Sequence, residues 1–251
     1  MKIANRTDIG RIRTINEDRC VVQPNLNGFS LAIVADGMGG HQAGDVASQM
    51  AIERIQEQLQ SVHTGMSIEE AKKAVRNAIE QANRQIYEFA SSRDQYRGMG
   101  TTVVVVLAEE EYILIGHIGD SRAYLCNQGK FIQLTEDHSL VTELVRSGQI
   151  TQEEASVHPR RNVLTQALGT EARVEVSLNH FPWHEEDLVL LCTDGLSGLV
   201  DSEVLFAILR TKLDLQRKAN QLVERALIAG GDDNVTVILL ANEPSKRGDQ
   251  P

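Results

Sequence analysis

The sequence predicts an α+β protein in which antiparallel sheet is covered by helices on its faces. Three observations carry this. Two long amphipathic stretches stand between residues 43 and 91, and short β-branched runs follow from residue 101. The gaps between those runs are too short to hold crossover helices, so the strands pair antiparallel.

Residues 29–35, FSLAIVA, read as a buried strand that ends at Asp36, with the glycine-rich turn Gly37-Met38-Gly39-Gly40-His41 behind it. Val46, Ala47, Met50, Ala51, Ile55, Leu59 and Val62 then recur at the spacing of one helix face. Ser67 and Glu70 have the Ser-x-x-Glu form of a capping box. They open a second helix whose apolar stripe runs from Ala71 through Val75, Ile79, Ala82 and Ile86 to Phe89.

Runs at 101–108, 112–118 and 122–126 read as a meander of strands, and the turn at 127–130 leads into another at 131–134. Residues 139–170 are polar and mixed, with a short helix at 139–147 and a second capping pattern from Thr151 to Glu154. This segment is expected to be a surface insertion. Strands resume at 173–179 and 187–192, a helix at 215–229 ends on Gly230-Gly231, and 235–240 is a last strand. No boundary separates two cores, so one domain over 1–242 is expected, with a flexible tail at 243–251.

The chain has 251 residues, 41% hydrophobic but only 4% aromatic, so its core must rest on Val, Ile, Leu and Ala. A net charge of −10 argues against nucleic acid and against anionic membranes, both of which need clustered Lys and Arg. Cys20, Cys126 and Cys192 are odd in number and contain no Cys-x-x-Cys pair, as in a reduced cytosolic protein. The N-terminal MKIANRTDIG lacks a signal peptide's apolar run, and no apolar run could span a bilayer. A cytoplasmic location is expected.

One pattern recurs: an apolar strand ending in Asp at a tight turn. It appears as Ala35-Asp36-Gly37, Gly119-Asp120-Ser121 and Thr193-Asp194-Gly195, and Gly231-Asp232-Asp233-Asn234 leads into a strand instead. Each alone is an ordinary turn. If the strands share a core, however, their ends converge and so do the carboxylates. Such carboxylates repel one another unless something neutralises them, and hard divalent cations with oxygen ligands are the usual solution.

Six segments occur in order: Arg13-Thr14-Ile15-Asn16-Glu17-Asp18, Asp36-Gly37-Met38-Gly39-Gly40-His41, Met99-Gly100-Thr101-Thr102, His117-Ile118-Gly119-Asp120-Ser121-Arg122, Thr193-Asp194-Gly195 and Gly231-Asp232-Asp233-Asn234-Val235-Thr236-Val237. Together they resemble the metal-dependent protein phosphatases (protein phosphatase 2C-like, PPM), above all the short bacterial members that reverse Ser/Thr kinases. The resemblance runs from about Ile3 to Leu240. It implies a four-layer sandwich of two antiparallel β-sheets flanked by α-helices.

It also implies roles. Asp36 would bridge two divalent ions, Mn²⁺ or Mg²⁺, and the Gly37 carbonyl would bind one of them. Asp194 and Asp233 would bind the other, and Glu17 or Asp18 would act through metal-bound water. Asp120 resembles the ligand of a third, weaker ion. Arg13 would hold the substrate phosphate by a bidentate fork. His41 would protonate the departing serine or threonine oxygen, and residues 139–170 match a variable flap. Asp45 stands where relatives often have Glu, and Thr193 where many have Ser. Which of Asp232 and Asp233 binds metal rests on alignment to the Asp-Asn pair.

The charge argument stands without the resemblance. A phosphomonoester dianion would be expelled by four or five carboxylates, whereas two divalent ions reverse the sign of the site. They also lower the pKa of a bridging water from about 15.7 toward neutrality, giving a hydroxide nucleophile. A histidine with a pKa near about 6.5 suits the proton donor. His117 and His138, also near motifs, read as structural.

The expected activity is hydrolysis of phosphoserine and phosphothreonine in proteins by a monomer, opposing a Ser/Thr kinase. Two alternatives are a metal-dependent phosphatase of small phosphomonoesters and a non-catalytic pseudophosphatase. The second would tolerate loss of Asp36, Asp194 or Asp233, and all three are present.

Overall fold

The apolar runs of the chain become strands covered on both sides. The computed structural model describes residues 1–39, 43–127 and 129–242. One sheet joins β1 (Lys2–Asp8), β11 (Val235–Ala241), β10 (Leu188–Cys192), β7 (Arg122–Cys126) and β8 (Phe131–Gln133), in that order. The other joins β2 (Asp18–Leu26), β3 (Phe29–Met38), β5 (Val103–Ala108), β6 (Tyr112–Ile118) and β9 (Ser177–Pro182), with β4 (Gly100–Thr101) paired to the end of β3. Every pairing is antiparallel.

Successive strand side chains point to opposite faces, and the core divides accordingly. From β3, Leu31, Ile33 and Ala35 pack on the helices α1 (Ala43–Gln58) and α2 (Ile68–Ser91). Ala32 and Val34 of the same strand face the first sheet, meeting Ala123, Leu191 and Ile238 in a middle layer. The outer face of that first sheet is closed by α6 (Ser202–Leu209) and α7 (Leu215–Ala229), through Leu205, Leu209, Leu222 and Val223. The order helix, sheet, sheet, helix is the four-layer sandwich the sequence led us to expect. It also explains why antiparallel strands read as continuous apolar runs: neither face of the middle strands meets water.

Local signals set several element ends. The Ser67 Oγ accepts from the Glu70 amide at 3.3 Å while the Glu70 carboxylate accepts from the Ser67 amide at 2.9 Å, closing the box that starts α2. Thr151 and Glu154 do the same for α4 (Gln152–Ser156), which with α3 (Leu140–Arg146) occupies the predicted insertion. Helix α7 stops where Gly230 and Gly231 take φ of 147° and 60°, a conformation glycine adopts without steric cost. The chain then turns directly into Asp233 and β11.

The structure departs from the sequence reading in three places. The strand expected at 173–179 lies at Ser177–Pro182, because pairing with β6 begins where Ser177 meets His117. Val174 and Val176 owe their alternation to packing on the helix-side core. Strand β3 does not stop at Asp36 but runs through Met38, since Gly37 and Met38 pair with β4. Strands β1 and β2 and helix α6 had no clear sequence signal; β1 and much of β2 are only partly covered, so polar and apolar residues mix along them. The tail expected from residue 243 lies outside the described residues.

Candidate metal centre

The two sheets open at one end, and the aspartates meet there. Asp18 begins β2 directly opposite Asp36 in β3, so the antiparallel register itself puts the two side by side. Asp194 follows β10 and opens α5 (Asp194–Ser197), while Asp233 and Asn234 lead into β11, the neighbour of β10. Asp120 lies in the turn between β6 and β7. Asp18 is buried at 2% exposure, whereas Asp36, Asp120, Asp194 and Asp233 are half-buried.

A chain of hydroxyls holds Asp18. Thr193 Oγ1 donates to Asp18 Oδ2 at 2.8 Å and accepts from the Thr236 amide at 3.0 Å. Thr236 Oγ1 in turn lies 2.8 Å from Thr7 Oγ1. The other oxygen, Asp18 Oδ1, is buried without a hydrogen-bond partner among the described residues. Asp36 is fixed through its backbone: its amide donates to Thr102 Oγ1 at 3.1 Å, and its carbonyl accepts from the Thr102 amide at 2.9 Å and Thr101 Oγ1 at 2.8 Å.

The grouping is electrostatically unfavourable. Burial pushes the Asp18 carboxyl up to about 7, with Asp194 and Asp233 adding to the rise against the Thr193 hydrogen bond. Burial followed by Asp18, Asp194, Asp120 and Asp233 drives Asp36 well above the carboxylate range. Asp120 rises to about 7 from burial and the charges of Asp194 and Asp137. Asp194 rises from burial and the charge of Asp233, with Arg13 and Arg122 opposing the rise. Each carboxylate makes its neighbours harder to ionise.

Around this core the remaining candidates are placed as follows. Arg13 is exposed at the rim, and its guanidinium pairs with Asp233 Oδ2 at 2.8 Å. Burial opposes the Arg13 charge, but Asp233, Glu17 and Asp36 outweigh it and raise its pKa. Asp232, the alternative to Asp233, is exposed. The Gly37 amide donates to the Glu17 carbonyl at 3.2 Å, and a Cβ on Gly37 would run into the backbone oxygens of Gly44 and Glu17. Asp45 pairs with Arg19. His41 lies outside the described residues.

In this arrangement no three His, Cys, Asp or Glu side chains among the described residues already surround one point at ligating distance. Arg13 holds the Asp233 carboxylate. The donor set nevertheless fits a hard divalent cation: it is all oxygen, it carries an unpartnered buried carboxylate oxygen at Asp18, and its mutual repulsion is what a cation relieves.

The comparisons decide the family. The protein phosphatase 2C family model matches residues 11–228. The serine/threonine phosphatase stp of Listeria monocytogenes is 42% identical over 243 residues, covering 97% of this chain and 96% of that one. The Streptococcus agalactiae serine/threonine phosphatase superposes with a TM-score of 0.90 at 38% identity, over 95% of this chain and 98% of the other. The catalytic domain of the serine/threonine protein phosphatase PstP, solved in complex with two manganese ions, gives 0.80 at 35% identity, over 95% and 96%. The chain belongs to the protein phosphatase 2C family.

In this protein phosphatase 2C, several residues at the centre escaped the sequence reading. Asn234 is the foremost. Its Nδ2 donates to the carbonyls of Ile9 and Ile15 at 2.9 and 3.0 Å, and its Oδ1 accepts from the Glu17 amide at 2.8 Å. It thereby pins the loop that carries Arg13 and Glu17. The Asp-Asn pair was the available signal, but it had been used only to choose Asp233. Thr193, Thr236 and Thr102 stand inside the ordered motifs but carried no assigned role there, because hydroxyls at strand ends carry no distinctive pattern.

A cavity of about 780 Å³ opens between the phosphatase's centre and the 139–170 segment, with Asp120, Asp194, Arg122, Arg146 and Arg161 on its walls. Cys126 and Cys192 are buried free thiols whose pKa values burial pushes up to about 11 and 12, and Cys20 is likewise pushed to about 11. Thiols so unwilling to ionise are poor nucleophiles. No helix among the described residues is long and apolar enough to cross a membrane.

Proposed function

We propose that this protein-serine/threonine phosphatase hydrolyses phosphoserine and phosphothreonine by a metal-assisted in-line displacement at the carboxylate centre, opposing a Ser/Thr kinase. The observation that carries the reading is the mutual destabilisation of Asp18, Asp36, Asp120 and Asp194, each with a raised pKa. Five carboxylates at one cleft are a poor receptor for a phosphate dianion and a good one for divalent cations.

Asp36 and the Gly37 carbonyl would hold divalent ions, Mn²⁺ or Mg²⁺, two in number. Asp194 and Asp233 are assigned to the second ion, Asp18 to the supporting shell and Asp120 to a third, weaker site. When bound, such ions offset the phosphate charge and lower the pKa of a water from about 15.7 toward 7, supplying hydroxide at neutral pH. The relative PstP, solved with two manganese ions, supports this count.

The chain's own residues do the rest. Thr193 keeps the Asp18 carboxylate oriented through the 2.8 Å hydrogen bond. Arg13, once it leaves Asp233, presents a planar fork that matches two phosphate oxygens. His41 is assigned the proton that the departing serine or threonine oxygen needs. The buried, high-pKa cysteines favour direct displacement over a covalent cysteine intermediate. A cavity of about 780 Å³ beside Asp120 and Asp194 has room for a peptide segment next to the centre. We assign the catalytic unit to residues 1–242, with 139–170 as its flap.

The test is hydrolysis of a phosphothreonine peptide with Mn²⁺, Mg²⁺ or chelator, comparing wild type with Asp36→Asn. Activity is expected only with metal and only in wild type. Full turnover in chelator, or in the variant, refutes the mechanism.

A further inference from the structure

Three consecutive residues, Glu136, Asp137 and His138, grip the turn that carries Asp120 from both sides. The Asp137 carboxylate accepts from Arg122 Nε at 2.9 and 3.0 Å and from an Arg122 terminal nitrogen at 2.6 Å, just after the turn. The Glu136 carbonyl lies 2.9 Å from His117 Nε2, just before it. His138 takes both peptide groups of Gly119: its Nδ1 accepts from the Gly119 amide at 3.2 Å, and its own amide donates to the Gly119 carbonyl at 3.0 Å.

Gly119 is the neighbour of Asp120 and has φ of 100°. A Cβ there would collide with the Thr102 side chain. Its peptide groups are therefore the only handles by which the turn can be held at this point.

The ring is itself held. Because Nδ1 accepts, the ring proton sits on Nε2, which points at Ser177 Oγ of β9 at 3.0 Å. The ring also stacks on His117, with centroids 4.9 Å apart and planes 23° apart. Burial, with His117 adding, pushes the His138 pKa down to about 4, so the accepting form persists at neutral pH.

On its other side His138 is the gatepost of the 139–170 segment. Its carbonyl accepts from the Thr165 amide at 2.9 Å, and the next pair along, the Leu140 amide and Val163 carbonyl, lies at 2.8 Å. The entry and exit of that segment are thus zipped together at the residue that holds Gly119.

We infer that His138 is a positioning residue: it sets the Asp120 turn through Gly119 and couples that turn to the neck of the 139–170 segment. This rests on the reading of Asp120 as a cation ligand, and neither the ring nor its partners contact a reacting atom. Loss of an outer-shell support of this kind costs metal affinity about 10- to 100-fold.

The test uses the whole chain in four forms: wild type, Asp120→Asn, His138→Ala and His138→Asn. Mn²⁺ binding is followed by the electron paramagnetic resonance of free Mn²⁺, and the Gly119 amide by hydrogen exchange in the metal-free protein. Asp120→Asn is expected to lose the weakest Mn²⁺ class. His138→Ala should weaken that class at least about tenfold and speed Gly119 exchange about 2- to 10-fold, the weight of one hydrogen bond. His138→Asn, whose Oδ1 can accept the same amide, should recover most of both.

Wild-type binding and exchange in His138→Ala overturn the inference, as does an Asn variant no better than Ala. If Asp120→Asn keeps every Mn²⁺ class, it is the reading of Asp120 that fails, and the Gly119 exchange alone then decides whether His138 holds the turn. Ser177→Ala, which frees the ring without removing it, should speed Gly119 exchange in the same direction. It stands in if His138→Ala does not fold, and an unchanged rate there counts against the coupling.

Discussion

The guanidinium of Arg13 is bonded to Asp233 Oδ2 at 2.8 Å, so the residue assigned to the substrate phosphate is held by a residue assigned to a metal. The two assignments compete for one contact. A cation at Asp233 would release Arg13 toward the substrate, and Arg13 in turn reduces the negative charge a cation sees.

Arg13→Ala is therefore expected to act in opposite directions on two measurements. Mn²⁺ binding, read calorimetrically, should tighten, because a competing positive charge is gone. The kcat/KM for a phosphothreonine peptide should fall about 10- to 150-fold, the weight of a charge-assisted hydrogen bond. Arg13→Lys should restore little of it, since a point charge lacks the fork. Weaker Mn²⁺ binding in Arg13→Ala would contradict this competition.

Thr193→Val should destabilise the protein by about 1–3 kcal/mol, because it strips the hydroxyl from a buried carboxylate and an acceptor from the Thr236 amide. Thr193→Ser should retain most of the stability. Urea midpoints of the three proteins in chelator check this, and a Val variant as stable as wild type rules it out.

Stability in chelator should fall as pH rises. Asp18 and Asp120 titrate near 7 in the folded chain, and Asp36 and Asp194 are raised as well, whereas an unfolded carboxyl titrates near about 4. Between those limits the folded state binds more protons than the unfolded state, so raising pH removes stability over roughly pH 4 to 7. Mn²⁺ supplies the missing positive charge. The Mn²⁺-induced rise in Tm should thus be larger at pH 8 than at pH 5.5; an equal rise at both would show that the centre is not what titrates.

Gly37→Ala and Gly44→Ala should each cost about 1–3 kcal/mol, because a Cβ on either glycine meets the backbone of the other. Gly129→Ala, where a Cβ meets nothing within 4 Å, is the control and should be close to neutral. Denaturant melts of the three variants test this. A Gly37→Ala protein as stable as the control would mean that the approach of β3 to α1 is not tight.

Much of this phosphatase was legible in its sequence, because the signals involved span only a few residues. The stripe from Ala71 to Phe89 announces α2, the Ser67 and Glu70 pair marks its start, and Gly230-Gly231 marks the end of α7. The aspartates at tight turns stood out for the same reason, and the ordered motifs around them pointed to the family that the comparisons bear out. Where coverage by a second element decides the pattern, local reading failed. Strand β9 took its ends from β6 rather than from its own alternation, and the partly covered β1 and β2 showed no period.

The detailed form of the centre was decided by tertiary structure alone. Asp18 faces Asp36 because of a strand register, and Thr193 reaches Asp18 across 175 positions of sequence. Asn234 binds the loop before Asp18 from the far end of the chain, and His138 meets Gly119 from the neck of another segment. The sequence by itself determined which side chains bring charge and where each strand turns. Which of them share one cleft, and how strongly they repel there, depends on how two sheets pack face to face, and no local pattern records that.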